Sequence, residues 1–324
     1  MLQVGTATAE PNRITRGHLE LAQYPDGGPV LSPVMIAQGV AAGPVLWVQG
    51  SVHGPEVVGP LAIQRFLKEL DLGHLKGTVI ALMLANPLGF RGYNRNTPQD
   101  GINMNRVFPG QADGSLTEQI AYRLLETALS AADVLLDLQS GGDLTITCHY
   151  TLYHDTGTDA GREAGRLARA TGAPNVWNSC EESLAGCMFT NFTKRGKPAV
   201  IVERGGGARV EDGDLAAQVQ AINGVCQAMG LLPGEPARAN RFRLGGNAVH
   251  IKSTKGGFFV PLVAPGDDLV KDQPLGHIID AFGDVVETPL CPVEKAWVGS
   301  IRRPYMPIYN GDQVTEIVET LGYE

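Results

Sequence analysis

At 324 residues the chain is long enough for one large core, or for a main domain with a smaller companion. Its 34 acidic against 26 basic side chains give a formal charge of -8, which argues against the broad basic footprint of a nucleic-acid binder. With 43% hydrophobic residues the composition is that of a globular protein, and 41 glycines with 21 prolines point to many turns, not long bundled helices.

The N-terminal "MLQVGTATAEPNRITRG" has no continuous apolar segment of the kind a secretory leader carries. The apolar stretch over 33–49 is broken by Gln38, Gly39 and Gly43, so no membrane span is expected and the cytoplasm is the default location. Next, "GPVLWVQG" (43–50) reads as a core strand that ends in a glycine turn. In "EVVGPLAIQRFLKELDL", Val57, Leu61, Ile63, Phe66, Leu67 and Leu70 fall mostly on one broad face of an amphipathic helix. "GTVIALMLANPLG" returns a buried strand stopped at Asn86-Pro87, completing the strand-helix-strand signal of a sheet covered on both faces.

A polar loop over 89–114 is longer than connections in compact domains usually are, which marks it as functional. Ser115 and Glu118 form a capping box ahead of a helix, and "VLLDL" is the next strand. A helix over roughly 161–171, the short strand "PAVIVE" and the helix "LAAQVQAINGVCQAMG" follow. Near Leu232 the texture changes. "LLPGEPARANRFRLGG" reads as a linker, and the remainder is short β-like runs and turns. The expected fold class is therefore α/β, with an α/β unit over 1–231 and a smaller C-terminal all-β domain with its linker over 232–324.

The chemistry gathers beyond three strand ends. His53 and Glu56 follow the first, Gln139 the second, and Glu203 ends the third. In open α/β sheets the ligand crevice lies at such ends. An imidazole and a carboxylate three residues apart, on the first turn of a helix with Gly54 giving room, suit a borderline divalent ion. The same spacing is common as a plain hydrogen bond or helix cap, and placement at a strand end brings the two readings to parity. Glu203 follows an aliphatic run; a partly desolvated carboxylate there can serve as a general base near neutral pH, or else it pairs with Arg204 or Arg209. The long loop supplies Arg91, Arg95, Asn103, Asn105 and Arg106; guanidinium groups converging on a pocket would bind an anion or a developing oxyanion. Solvated loop charge is the plainer account, above all for Arg91.

The stretches "GSVHGPE", "NPLGFRGYNRNTPQDGINMNRVFPG", "LLDLQSGG" and "KPAVIVERGGG" resemble those of the succinylglutamate desuccinylase/aspartoacylase family, zinc-dependent relatives of the carboxypeptidases, in that family's order. The resemblance covers nearly the whole chain and implies a zinc-carboxypeptidase-like mixed sheet covered by helices. It implies His53 and Glu56 as two ligands of one divalent ion, Zn2+ in the family. Glu203 would be the general base, Asn105 and Arg106 would hold the substrate carboxylate, and Arg95 would polarise the scissile carbonyl. The implied reaction is hydrolysis of the amide of a small, anionic N-acylated amino acid, and "TPQDGINMNRVFPG" resembles a subgroup whose substrates are N-acetylated diamino acids.

One position departs from the family. Where it carries "DLHSGG", with the histidine as third ligand, this chain has Gln139, whose amide oxygen is a poorer ligand for zinc. Three accounts follow: a substitution that slows an otherwise ordinary enzyme, a natural site that works with the amide, another metal, or His149 or His154, and a binding protein that has lost hydrolysis. A carboxypeptidase would use the same clamp and ion. Tyr305 and Tyr309 are candidates for the pocket edge. The five cysteines, Cys148, Cys180, Cys187, Cys226 and Cys291, suggest reduced thiols, Cys180 and Cys187 being the one pair considered for a bridge. No dinucleotide or phosphate-loop signature is present. Neither nucleic acid nor membrane is expected as a partner, and a homo-oligomer is the general expectation.

Overall fold

The computed structural model describes residues 2–324. Two short strands, β1 (Gln3–Val4) and β2 (Ala7–Thr8), pair with each other. The long hairpin β3 (Arg13–Gln23) and β4 (Pro29–Gln38) then leads into β5 (Ala41–Gly50), helix α1 (Val58–Glu69) and β6 (Lys76–Leu82). Helix α2 (Pro87–Arg91) opens the long loop, with Asn86 capping it through a hydrogen bond from the Gly89 N–H. Helix α3 (Leu116–Ala131) carries the expected capping box between Ser115 and Glu118. After it come β7 (Val134–Gln139), β8 (Thr145–Tyr153), α4 (Asp159–Ala170), β9 (Asn175–Asn178), α5 (Met188–Lys194), β10 (Ala199–Gly206) and α6 (Asp212–Ala228). The remainder is entirely β: β11 (Arg243–Lys252), β12 (Gly257–Pro261), β13 (Asp268–Val270), β14 (Gly276–Ile279), β15 (Val285–Glu287), β16 (Lys295–Arg302), β17 (Pro307–Ile308) and β18 (Gln313–Tyr323).

One mixed sheet organises the molecule, in the order β13-β16-β18-β11-β9-β8-β10-β7-β5-β6-β4-β3. Its centre is parallel: β6, β5, β7 and β10 run the same way, so their carboxyl ends open on one side. Two apolar layers cover it. Leu46, Val48, Leu136, Leu138, Val200 and Val202 face one layer, Trp47, Leu135, Leu152 and Ile201 the other. Helix α1 buries Ala62, Ile63, Phe66 and Leu67, and each of the three large side chains contributes roughly 1.5–3 kcal/mol by leaving water. Leu61, expected on that face, is 40% exposed, because two residues before Ile63 it lies across the helix from it.

The C-terminal region is all-β, as its texture indicated, but it divides between two sheets. Only β12, β14, β15 and β17 form a separate four-stranded sheet. The others extend the main sheet: β11 pairs with β9 and β16 with β8. The polar side chains of β11, β16 and β18 are thereby carried toward the site. All five cysteines are free thiols, so Cys180 and Cys187 are not bridged. Among the described residues no helix is long and apolar enough to cross a membrane.

Candidate active site

Register builds the floor of the site. Gln49 of β5 lies beside Asp137 of β7, Gln139 of β7 beside Glu203 of β10, and Glu203 beside Tyr150 of β8. Side chains in register share a face, so the layer that begins with Trp47, Leu135 and Ile201 turns polar toward the strand ends. Gln139 donates from Nε2 to Asp137 Oδ2 at 2.8 Å, and its backbone carbonyl accepts from Gln218 Nε2 at 2.8 Å. Burial pushes the Asp137 carboxyl up to about 7, against hydrogen bonds from Gln139 and Gln49 that draw it down. Glu203 Oε2 is buried with no partner. Burial, with Glu56, Glu316 and Asp137 adding to it, holds the Glu203 carboxyl well above the ordinary range, and Arg95 opposes them.

The loop after β5 supplies the facing wall. Ser51 adopts a left-handed φ of 55° just after the strand, turning the chain. At Gly54 a Cβ would stand 2.0 Å from the Gly89 carbonyl oxygen, so only glycine lets this loop lie against the start of α2. His53 and Glu56 are both buried, and they sit in this loop instead of on the first turn of α1, which starts at Val58. The two side chains still meet, His53 Nδ1 lying 2.8 Å from Glu56 Oε1.

What lies between those two atoms can be inferred from a third residue. Asn103 Oδ1 accepts the backbone N–H of Asn105 at 2.9 Å, which fixes its amide orientation, and the same oxygen lies 3.1 Å from His53 Nε2. His53 must therefore donate from Nε2. Burial lowers the His53 pKa, with Glu56 opposing and Arg95 adding to it, and Nδ1 stands against the Glu56 carboxylate. An imidazole nitrogen and a carboxylate oxygen so placed share a proton as an ion pair, or could hold a cation between them. Gln139 lines the same cavity as His53 and Glu56, and its side-chain oxygen is not the atom engaged by Asp137. One nitrogen and two oxygens suit a divalent ion, with a poorer third donor than an imidazole. Among the described residues no three His, Cys, Asp or Glu side chains converge as a metal group.

The long loop lines the mouth. Arg95 reaches Glu56 Oε1 from Nη1 at 3.3 Å. Asn105 Oδ1 accepts the Met188 N–H at 3.2 Å, leaving its amide donors for the cavity. Arg106 Nη1 donates to the Asn105 carbonyl at 2.7 Å and lies 3.3 Å from Cys187 Sγ. The cavity these residues share encloses about 290 Å³ and takes in His53, Glu56, Arg95, Asn105, Arg106, Gln139 and Glu203 together. Arg91 stands apart, its guanidinium 5.6 Å from the Tyr24 ring centre.

Neither His149 nor His154 lines the cavity, and Tyr305 and Tyr309 are exposed away from it. His154 Nδ1 is held at 3.2 Å by the Ser179 carbonyl. His149 Nε2 is buried without a partner, and burial, helped by Arg204, lowers its pKa to about 4. A histidine depressed on folding adds stability above its unfolded pKa of 6.5, lost as pH falls toward 4. Between pH 7 and pH 5 the wild-type chain should therefore lose up to about 2 kcal/mol more than His149→Gln. Urea unfolding at both pH values reads the difference, and equal losses would exclude the effect. Sequence reading passed over Tyr150, His250 and Glu316, which also line the cavity. Glu316 carried a usable signal: a carboxylate on the strand face of Val314 and Val318, both fully buried.

A family model described as the succinylglutamate desuccinylase/aspartoacylase catalytic domain matches residues 42–229, more than half of the chain. The chain belongs to this family. Membership supports a hydrolase of the deacylase type, from a family acting on small acylated amino acids. It is 29% identical to an N-alpha-acetyl-L-2,4-diaminobutyric acid deacetylase of Halomonas elongata, over 98% of this chain and 96% of that one. In structure it is similar to the product-bound ectoine utilization protein EutE of Ruegeria pomeroyi, at 25% identity and TM-score 0.86, covering 98% of this chain and all of that one. An aspartoacylase family protein of Mesorhizobium loti has 26% identity and TM-score 0.80, with 99% of both chains covered.

Proposed function

We propose that this chain hydrolyses the amide bond of a small N-acylated amino acid with a free carboxylate, using one divalent ion held by His53, Glu56 and the Gln139 amide oxygen. The observation that carries the reading is the convergence of His53, Glu56, Gln139, Glu203, Arg95, Asn105 and Arg106 on one cavity, with His53 Nδ1 2.8 Å from Glu56 Oε1. When bound, such an ion supplies Lewis acidity that activates water and polarises a carbonyl. The chain's own groups do the rest. Asn105 and Arg106 bind the carboxylate and fix the substrate in place. Glu203, unpartnered and desolvated, takes a proton from the attacking water and returns it to the departing amine. Arg95 meets the negative charge that develops on the carbonyl oxygen. Residues 1–231 form the catalytic unit in this reading, and 232–324 complete its wall.

The name of the Halomonas relative makes N-acylated diamino acids the first substrates to try. The amide at 139 is the one feature that favours a second reading, a protein that binds such molecules without hydrolysing them. Against it stands Glu203, whose burial at the strand end is costly and serves no purpose in mere binding. The test is a panel of N-acetyl and N-succinyl amino acids and diamino acids, assayed for free amine with Zn2+, Mn2+ or Co2+ added. Hydrolysis of at least one member is expected. Binding of several with turnover of none would leave the binding protein.

A further inference from the structure

The cavity has a second charged wall for which hydrolysis gives no use. Glu316 of β18 stands on it, directly across the strand pair from His250 of β11, with Tyr150 of β8 alongside. The phenol lies 3.4 Å from Oε1, and His250 Nδ1 lies 3.5 Å from Oε2. Both are longer than the roughly 2.7–2.9 Å of a charge-assisted hydrogen bond. An ionised carboxylate can accept about four hydrogen bonds, so two long contacts leave most of that capacity open. The side chain is only 16% exposed, and water cannot fully make up the shortfall. Burial, with Glu181 adding to it, raises the Glu316 pKa, while His250, Tyr150 and Arg106 draw it down. Glu316 also raises that of Glu203, so the two carboxylates feel one another across the cavity.

Arg302, which also lines the cavity, is paired with Asp312, so among the described residues the basic side chain against Glu316 is His250. Glu56 faces the proposed ion and Glu203 the attacking water, which leaves Asp143 and Glu316 without a task; of these, Glu316 is the one set on the strand wall between Tyr150 and His250. We propose that Glu316, framed by Tyr150 and His250, receives a primary ammonium group of the substrate and makes the enzyme select N-acyl diamino acids over neutral or acidic N-acyl amino acids. The inference rests on the reading of the cavity as a deacylase site. It adds a third point of attachment to the carboxylate clamp at Asn105 and Arg106 and the amide beside Glu203. The C-terminal strands, rather than the catalytic loops, thus set which amine is accepted.

Equilibrium binding separates this from the parent reading, because it needs no turnover. The ligands are Nα-acetyl-2,4-diaminobutyrate, Nα-acetyl-2-aminobutyrate, which lacks the ammonium, and N-acetylaspartate, titrated calorimetrically into the full chain with metal removed by a chelator, so that none is hydrolysed. The wild-type protein should bind the cationic ligand at least about 10-fold more tightly than the neutral one, the worth of one charge-assisted hydrogen bond. In Glu316→Gln that preference should shrink to within about 2-fold, with the neutral ligand bound as before. The wild-type comparison requires no variant, so a folding defect in Glu316→Gln cannot mask the result. Equal affinity for the cationic and neutral ligands in the wild type, or a preference that survives in the variant, overturns the role of Glu316 and leaves the deacylase reading intact. Failure of all three ligands to bind overturns both.

Discussion

Gln139→His should tighten Zn2+ binding by about 100-fold or more, since even an outer partner of a metal ligand is worth 10- to 100-fold. The replaced amide offers the ion an oxygen of low basicity, whereas an imidazole offers a nitrogen that zinc prefers. The supporting geometry already exists. Asp137 accepts from the Gln139 side chain at 2.8 Å and can accept a ring N–H from histidine in the same way, fixing the tautomer that leaves the other nitrogen for the ion. Competition against a chromogenic chelator measures the affinity without reference to turnover. Hydrolysis of the preferred N-acyl substrate should rise in parallel wherever metal occupancy limits the wild-type rate. An unchanged zinc affinity would mean that residue 139 does not touch the ion, and the ligand set would have to be drawn differently.

The second large effect is at Glu203, where activity and stability should move in opposite directions. Glu203→Gln removes the group that moves the proton and should lower kcat by about 1,000-fold, within the range that general acid-base catalysis contributes. It also removes a buried charge whose neighbours Glu56, Glu316 and Asp137 all disfavour it, so the melting temperature should rise. Substrate affinity should hold, because Asn105 and Arg106 are untouched. A variant that melts lower and still turns over would place Glu203 among structural residues. The paired readout matters because a structural carboxylate, once removed, ordinarily costs stability as well as activity.

The strand ends at Gly50 and Gln139 were legible because each is announced locally, by an apolar run that stops at a polar or glycine residue; Glu203 reads as the end of its strand, but β10 runs on past a register shift to Gly206. The capping box at Ser115 was legible for the same reason, and so was the loop that carries Arg95, Asn105 and Arg106. Local signals stopped short of the exact helix start: Glu56 reads as the first turn of α1, but lies in the preceding loop. Asp137 reads as a member of a core strand, and its hydrogen bond to Gln139 depends on both side chains emerging on one sheet face.

By itself, the sequence determined the α/β class, the family and the strand ends at Gly50 and Gln139, since period, punctuation and motif order are properties of contiguous residues. Only the tertiary structure decided that β11 lies against β9 and β16 against β8, which brings His250 and Glu316 into the cavity opposite the loop of residue 106. Such pairings join segments far apart in the chain, and a shift of one residue in register would turn Glu316 to the other face. No local pattern carries that information, because it is settled by which apolar faces the folded sheet can bury together.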